Sequence, residues 1–112
     1  MLKAIIIDDE QDAVLSLQTI INEYCPEVAI IAKATSPYKG LHEIQKHKPD
    51  LVFLDIDMPE MNGFKLLEKI RNRNFEVIFV TAFNHYAIKA FKAHAIDYIT
   101  KPVDIDEVIT AR

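Results

Sequence analysis

The sequence contains one cysteine, no tryptophan and only two glycines among its 112 residues. A single cysteine excludes an internal disulfide bond and fits a reducing, cytoplasmic setting. Two glycines cannot supply the Gly-x-Gly-x-x-Gly loop that dinucleotide-binding domains place after their first strand. No apolar run approaches the roughly 18 residues of a membrane span, and Met1-Leu2-Lys3 lacks the pattern of a signal peptide. We therefore expect a cytoplasmic protein without membrane contact.

Basic residues are also fewer than acidic ones. The chain has 13 basic residues against 17 acidic ones, a net charge of −4 at pH 7. This balance disfavours direct nucleic-acid binding by this segment. Half of the residues are hydrophobic and 27% are charged, which is typical of one soluble globular domain.

Five short apolar runs alternate with segments of helical periodicity. The runs are residues 4–7, 28–32, 51–54, 77–80 and 96–99. Each has the length of a strand, and the continuous apolar runs 4–7 and 51–54 predict strands that are buried on both faces. Strands separated by helices favour right-handed crossovers. The sequence therefore predicts an α/β fold, with a parallel sheet that is covered by helices on both faces.

The helical segments indicate which side chains should face the sheet. The first segment carries apolar residues at three- and four-residue steps, which is typical of an amphipathic helix: Val14, Leu17, Ile20, Ile21 and Tyr24. In the fourth segment we expect Ile88 and Phe91 to point inward for the same reason. These stripes predict the helical contribution to the core.

Two helices begin with recognisable capping signals. Ser36 stands directly before Pro37, which predicts an N-cap followed by a first-turn proline. Asp104 precedes the apolar residues Ile105 and Val108, and we expect it to cap the last helix.

Polar residues follow four of the five predicted strands. Asp8 and Asp9 follow the first, Asp55 the third, Thr81 the fourth and Lys101 the fifth. Because open parallel sheets bind ligands at the carboxyl ends of their strands, these side chains should converge on one edge. Clustered carboxylates repel one another unless a proton or a cation offsets their charge. A small set of oxygen ligands predicts Mg²⁺.

The same constellation is suited to phosphoryl transfer. A carboxylate such as that of Asp55 can attack phosphorus and form an aspartyl phosphate. The transfer needs positioning and charge neutralisation, which a metal ion, the Lys101 ammonium and the Thr81 hydroxyl can supply. Single acidic residues at strand ends are common in solvated loops, so the prediction depends on the joint placement.

These motifs resemble a response-regulator receiver domain of bacterial two-component signalling. The markers are residues 7–10, residues 54–59 with Asn62-Gly63, the pair Thr81-Ala82, and residues 97–102. The resemblance covers residues 1–112 and implies a flavodoxin-like, doubly wound sheet of five parallel strands in the order 2-1-3-4-5. It also implies a C-terminal helix shorter than that of the family, with the output domain outside this chain.

The resemblance assigns roles to four acidic residues. Asp55 matches the phosphoacceptor, which receives a phosphoryl group from a phosphohistidine on a sensor histidine kinase. Asp9 matches the principal carboxylate of the Mg²⁺ site, which Asp55 shares, and Asp8 matches a residue that binds through water or at a neighbouring position. Asp57 matches the residue whose backbone carbonyl binds the metal. Such a domain is a regulatory switch that catalyses only its own phosphorylation and dephosphorylation.

The resemblance also assigns the remaining site residues. Thr81 matches the hydroxyl that binds one phosphoryl oxygen, and Lys101 matches the cation that pairs with another. Tyr98 matches the switch aromatic, which turns inward when Thr81 is drawn toward the phosphate. The bond between Lys101 and Pro102 is cis in the family. His94 stands where the family usually has glycine, and a left-handed backbone there would be costly for histidine.

The stretch 81–91 resembles receivers that are attached to LytTR-type DNA-binding domains. The implied partners are a sensor histidine kinase and an output domain of that type, controlled by the surface of the fourth helix and fifth strand. Phosphorylation would favour a homodimer through the fourth helix, fifth strand and fifth helix. Asp57 and Phe83 match positions that tune the phosphoryl lifetime in the family.

Two other functions stay open at the level of sequence. Asp55-Ile56-Asp57 also resembles the Asp-x-Asp motif of haloacid-dehalogenase-like phosphatases, in which the first Asp is the nucleophile and the second the general acid. Met58-Pro59 departs from that family, which prefers Gly-Thr at this point, and the chain has no room for a cap domain. A receiver kept only as an unphosphorylated binding module is the other alternative, and the intact set of site residues argues against it.

Overall fold

A computed structural model describes residues 1–71, 73–82 and 86–111 of the chain. Within these residues, strands alternate with helices from one end to the other. The strands are β1 (Leu2–Ile7), β2 (Val28–Ala34), β3 (Leu51–Leu54), β4 (Glu76–Thr81) and β5 (Asp97–Thr100). The helices are α1 (Gln11–Tyr24), α2 (Pro37–His47), α3 (Gly63–Glu68), α4 (Ala87–Lys92) and α5 (Ile105–Ala111). Phe83, together with Asn84 and His85 of the stretch 81–91, lies outside the described residues.

The sheet is parallel throughout, and its strand order is β2-β1-β3-β4-β5. The predicted fold class is therefore confirmed. Ile7 is paired with Leu54, and Leu54 in turn with Phe79. The carboxyl ends of these neighbouring strands are consequently aligned. The residues that follow β1 and β3 therefore lie at the same edge of the sheet. None of the described helices has the length and apolar character needed to cross a membrane.

Side chains alternate between two core layers on opposite faces of the sheet. Ile5 and Ile7 face one layer, where buried residues of α2, α3 and α4 pack against them. Ala4 and Ile6 face the other layer, which α1 and α5 cover. Because both faces are covered, the central strands are apolar throughout residues 4–7, 51–54 and 77–80, as the continuous runs predicted.

The predicted inward orientation of Ile88 and Phe91 is wrong. Their exposed fractions are 74% and 82%. The inner stripe of α4 is formed instead by Tyr86, Ala90 and Ala93, which pack against the core. The apolar periodicity of α4 fits two faces equally well, and only the approach of the helix to the sheet selects the small residues for the buried face.

The predicted apolar stripe of α1 is confirmed except at its last residue. Val14, Leu17 and Ile21 are buried and Ile20 packs against the same core layer. Tyr24, at the end of the helix, is 45% exposed.

Smaller differences occur near the C-terminal half. β5 begins at Asp97, one residue after the predicted start, and Ile96 is 48% exposed. Ile105 is also more exposed than its position in an apolar stripe suggested, whereas Val108 is fully buried. His94 adopts a left-handed backbone with φ of 63°.

Both predicted caps are present. The Ser36 side chain accepts a hydrogen bond from the backbone N–H of Lys39 and so begins α2. The Asp104 side chain accepts one from the backbone N–H of Asp106 in the first turn of α5. Each bond satisfies an N–H group that has no partner within its helix.

Candidate functional site

Three carboxylates meet at the carboxyl edge of the sheet. Asp8 follows β1 and Asp55 follows β3, and each is only 4% exposed. One carboxylate oxygen from each of Asp8, Asp9 and Asp55 lies within 4.8 Å of the others. The structure thus brings together the acidic residues that the sequence placed at separate strand ends.

The loop after β3 is held tightly against the start of α3. The backbone N–H of Asp55 donates to the carbonyl of Ile7, and that of Gly63 donates to the carbonyl of Ile56, both at 2.9 Å. A Cβ atom at Gly63 would lie 2.5 Å from the backbone carbonyl oxygen of Asp55. Glycine is therefore required for this close approach, which fixes the loop that bears Asp55.

Lys101 enters the carboxylate cluster from the end of β5. Its ammonium nitrogen lies 2.7 Å from Asp8 Oδ2, 2.9 Å from Glu10 Oε1 and 3.6 Å from Asp55 Oδ2. The backbone N–H of Lys101 donates to the Thr81 carbonyl at 2.7 Å. The peptide bond between Lys101 and Pro102 is cis. The hydrogen bonds to Asp8 and Glu10 raise the pKa of Lys101 against the opposing effect of burial, so this side chain is a cation.

Burial raises the pKa of Asp55 from 3.8 to about 7. Repulsion from Asp8 and a hydrogen bond with Asp9 act in the same direction, whereas the charge of Lys101 opposes them. The cluster therefore has more negative charge than one ammonium group offsets. A further cation is the natural counterpart of such a site.

The donor set fits Mg²⁺. Asp8, Asp9 and Asp55 offer only carboxylate oxygens, which are hard ligands, and among the described residues no histidine or cysteine joins their cluster. Mg²⁺ is usually held by one or two protein carboxylates with waters and phosphate oxygens in its remaining positions. Asp9 is partly exposed and Asp57 is exposed, so solvent can reach this side of the carboxylate cluster.

Thr81 and Tyr98 lie on the β4 and β5 side of this edge. Thr81 is fully buried at the last position of β4, where it is paired with Thr100 of β5. Tyr98 is half-buried against the core, and its hydroxyl is hydrogen-bonded to the backbone of Tyr86. The sequence placed both residues near the site, and the structure locates them on neighbouring strands.

Two residues of the site were missed by the sequence analysis. Glu10 binds Lys101, and its place directly after Asp8 and Asp9 was a signal that could have revealed it. Tyr86 donates its hydroxyl to Asp57 Oδ1 at 3.2 Å. No local pattern connects residues that are so far apart in the sequence, so this contact depends on the tertiary fold.

Comparison with known proteins identifies the family. Residues 4–112 match the response regulator receiver domain family, and the chain belongs to it. This confirms the resemblance drawn from the motifs and decides against the phosphatase family. The curated relatives include the sensory transduction protein LytT of Bacillus anthracis, which is 40% identical over 112 residues. The alignment covers 97% of this chain and 45% of LytT, and the chain likewise spans under half the length of other curated relatives that it matches.

Solved structures show the same architecture. The response regulatory domain of MrkE from Klebsiella pneumoniae has a TM-score of 0.88 at 31% identity, covering 98% of this chain and 91% of that one. The CheX–CheY–BeF₃–Mg²⁺ complex from Borrelia burgdorferi also has a TM-score of 0.88, at 27% identity, with coverage of 98% and 85%. The chain is therefore a receiver domain in sequence and in fold.

Proposed function

We propose that this receiver is a phosphorylation-activated switch in which Asp55 accepts a phosphoryl group from a phosphohistidine of a sensor histidine kinase. The observation that carries the proposal is the buried Asp55 carboxylate, joined to Asp8 and Asp9 on one side and to Lys101 on the other. A nucleophile, carboxylates that can hold a metal ion and a fixed ammonium group in one pocket supply the positioning and charge neutralisation that phosphoryl transfer requires.

The chemistry begins with attack by an Asp55 carboxylate oxygen on phosphorus. A new O–P bond forms while the N–P bond of the donor breaks, and its electron pair returns to the donor imidazole. Asp8, Asp9, Asp55 and the backbone carbonyl of Asp57 are the groups that would hold Mg²⁺. The bound ion would neutralise charge on the carboxylates and on the phosphoryl oxygens. Hydrolysis of the aspartyl phosphate by water restores Asp55 and releases inorganic phosphate, so the domain acts only on itself.

Lys101 and Thr81 would bind oxygens of the phosphoryl group after its transfer to Asp55. The Lys101 ammonium nitrogen lies 3.6 Å from Asp55 Oδ2, within reach of a phosphoryl oxygen once phosphorus is bonded to that carboxylate. The Thr81 hydroxyl would donate to a second phosphoryl oxygen, and Tyr98 would follow the movement of Thr81. A ligand that is bound better by one conformation shifts the population toward it.

The surface of α4 and β5 is the proposed output of the switch. Ile88 and Phe91 expose an apolar pair on α4, which suits a phosphorylation-favoured homodimer that continues over β5 and α5. The relatives LytT and BtsR are described as a sensory transduction protein and a transcriptional regulatory protein, and both are more than twice as long as the aligned segment. We infer a cytoplasmic regulator whose receiver controls a LytTR-type DNA-binding output domain.

Intact-protein mass spectrometry tests the phosphoacceptor. The protein is incubated with acetyl phosphate, with and without Mg²⁺, beside Asp55→Asn and the control Asp12→Asn, which alters an exposed acid of α1. We expect one Mg²⁺-dependent phosphoryl adduct in wild type and in the control, and none in Asp55→Asn. A folded wild-type protein without adduct would favour an unphosphorylated binding module, and continuous turnover of a phosphomonoester would favour a phosphatase.

A further inference from the structure

Tyr86 makes three contacts that join separate parts of the site. Its hydroxyl donates to Asp57 Oδ1 at 3.2 Å, and its ring packs edge-on against Phe64 of α3 with 5.9 Å between ring centroids. Its backbone is hydrogen-bonded to the Tyr98 hydroxyl of β5. Tyr86 is also the residue that directly precedes α4. One residue therefore touches the β3–α3 loop, α3, β5 and the start of α4.

The ring of Tyr86 is well anchored, which gives its hydroxyl a defined direction. Phe64 is buried and packs in turn against the fully buried Phe79 of β4, with 4.9 Å between ring centroids. Tyrosine has few rotatable bonds, so a ring that packs against Phe64 directs its hydroxyl toward Asp57 at little conformational cost. Asp57, in contrast, is exposed, and the Tyr86 hydroxyl is its hydrogen-bond donor.

We propose that Tyr86 is a positioning residue of the metal side of the site: by holding Asp57, it orders the loop that would offer its backbone carbonyl to Mg²⁺ and connects that loop to α4. This inference rests on the proposed metal site and extends it to a residue outside the acidic cluster. Groups that orient metal ligands typically contribute about tenfold or more to metal affinity. A neutral hydroxyl leaves the charge of Asp57 unchanged, so its removal weakens Mg²⁺ binding through lost order.

Because Tyr86 directly precedes α4, Mg²⁺ binding should affect the N-terminal end of this helix. If the Asp57 carbonyl bound Mg²⁺, the loop after β3 would be less mobile. The hydrogen bond from the Tyr86 hydroxyl to Asp57 should then also restrict the N-terminal end of α4. Backbone amides of residues 87–90 should therefore respond to Mg²⁺, although they lie outside the carboxylate cluster. Coupling of this kind is reciprocal, so loss of the bond should weaken both the binding and the response.

The test is a Mg²⁺ titration followed by amide chemical shifts in ¹⁵N-labelled protein. Tyr86→Phe removes only the hydroxyl and keeps the ring on Phe64 and the backbone contact to Tyr98. The control is Tyr38→Phe, which alters an exposed tyrosine of α2. We expect an about tenfold higher dissociation constant in Tyr86→Phe and shifts at residues 87–90 reduced by more than half, with the control like wild type.

A double-mutant cycle with Asp57→Ala shows whether the hydroxyl acts through Asp57. In that background Tyr86→Phe should have no further effect on the Mg²⁺ dissociation constant. Wild-type affinity in Tyr86→Phe, or an equal loss in both backgrounds, overturns the inference. Mg²⁺ binding is measured without phosphorylation, so a protein that shows this pattern but forms no adduct refutes the phosphoacceptor proposal alone. A wild type that does not bind Mg²⁺ overturns both the metal site and the role of Tyr86.

Discussion

The ammonium nitrogen of Lys101 lies 2.7 Å from Asp8 Oδ2, and this ion pair joins the end of β5 to the end of β1 at the opposite side of the cluster. Both side chains are largely buried. Lys101 is thus a cation that offsets the charge of the carboxylate cluster through direct contact with Asp8 and Asp55.

Replacement of Lys101 should destabilise the domain. Lys101→Met leaves Asp8 buried without its partner, and breaking a buried ion pair in this way costs about 3 kcal/mol. We expect a loss of that size in urea unfolding of the metal-free protein, and a smaller loss in excess Mg²⁺. Lys46→Met, at an exposed position of α2, is the control and should unfold like wild type. Equal stability of Lys101→Met and the control would contradict the structural role.

The raised pKa of Asp55 predicts a pH dependence of stability in the metal-free protein. The native state keeps this carboxyl protonated up to pH about 7, whereas the unfolded chain ionises near 3.8. Ionisation therefore favours the unfolded state across this window, and the contribution of Asp55 to the free energy of unfolding falls as pH rises through it. Asp55→Asn cannot ionise and should lack this contribution.

The comparison is made by urea unfolding of wild type and Asp55→Asn in EDTA between pH 4 and 8. Asp55→Asn should gain stability relative to wild type as pH rises to about 7, and the difference should then stay constant. Parallel stability curves for the two proteins would show that the pKa of Asp55 is not raised. Excess Mg²⁺ should reduce the difference.

The exposure of Phe91 predicts that this aromatic residue contributes little to folding. Phe91→Ser should change the free energy of unfolding by no more than about 0.5 kcal/mol. Phe79→Ala, at a fully buried position of β4, should cost about 3–5 kcal/mol. Analytical ultracentrifugation of the phosphorylated forms should show weaker dimerisation for Phe91→Ser. A destabilisation like that of Phe79→Ala would place Phe91 in the core.

The left-handed backbone of His94 predicts a stabilising substitution. His94→Gly should raise the free energy of unfolding by about 1 kcal/mol, because glycine adopts a positive φ without steric cost. The Arg73 guanidinium donates to the carbonyls of Ala93 and His94, and glycine keeps both acceptors. His42→Gly, within α2, is the matched control and should lower stability by about 1 kcal/mol. A loss of stability in His94→Gly would contradict the prediction.

The fold was predictable because its signals are local and repeated. The continuous apolar runs of β1 and β3 required burial on both faces, and the alternating helices required a parallel sheet. The capping residues Ser36 and Asp104 also act on their own first turns, so their sequence neighbours were enough to identify them. His94 shows the limit of this approach, since the family comparison indicated glycine and the chain adopts the left-handed turn with histidine.

The α4 helix was predicted incorrectly because apolar character alone does not select a face. Ile88 and Phe91 are the largest apolar residues of this helix, yet Ala90 is the residue that meets the core. The close approach of the helix to the sheet favours a small side chain there. The exposed pair then becomes available for a partner.

The sequence by itself determined the α/β class and the convergence of Asp8, Asp55, Thr81 and Lys101, because strand ends in a parallel sheet must meet at one edge. The tertiary structure alone decided which groups touch within that edge. The hydroxyl of Tyr86 reaches Asp57 only because its ring rests on Phe64, and such contacts depend on packing angles that no residue pattern encodes.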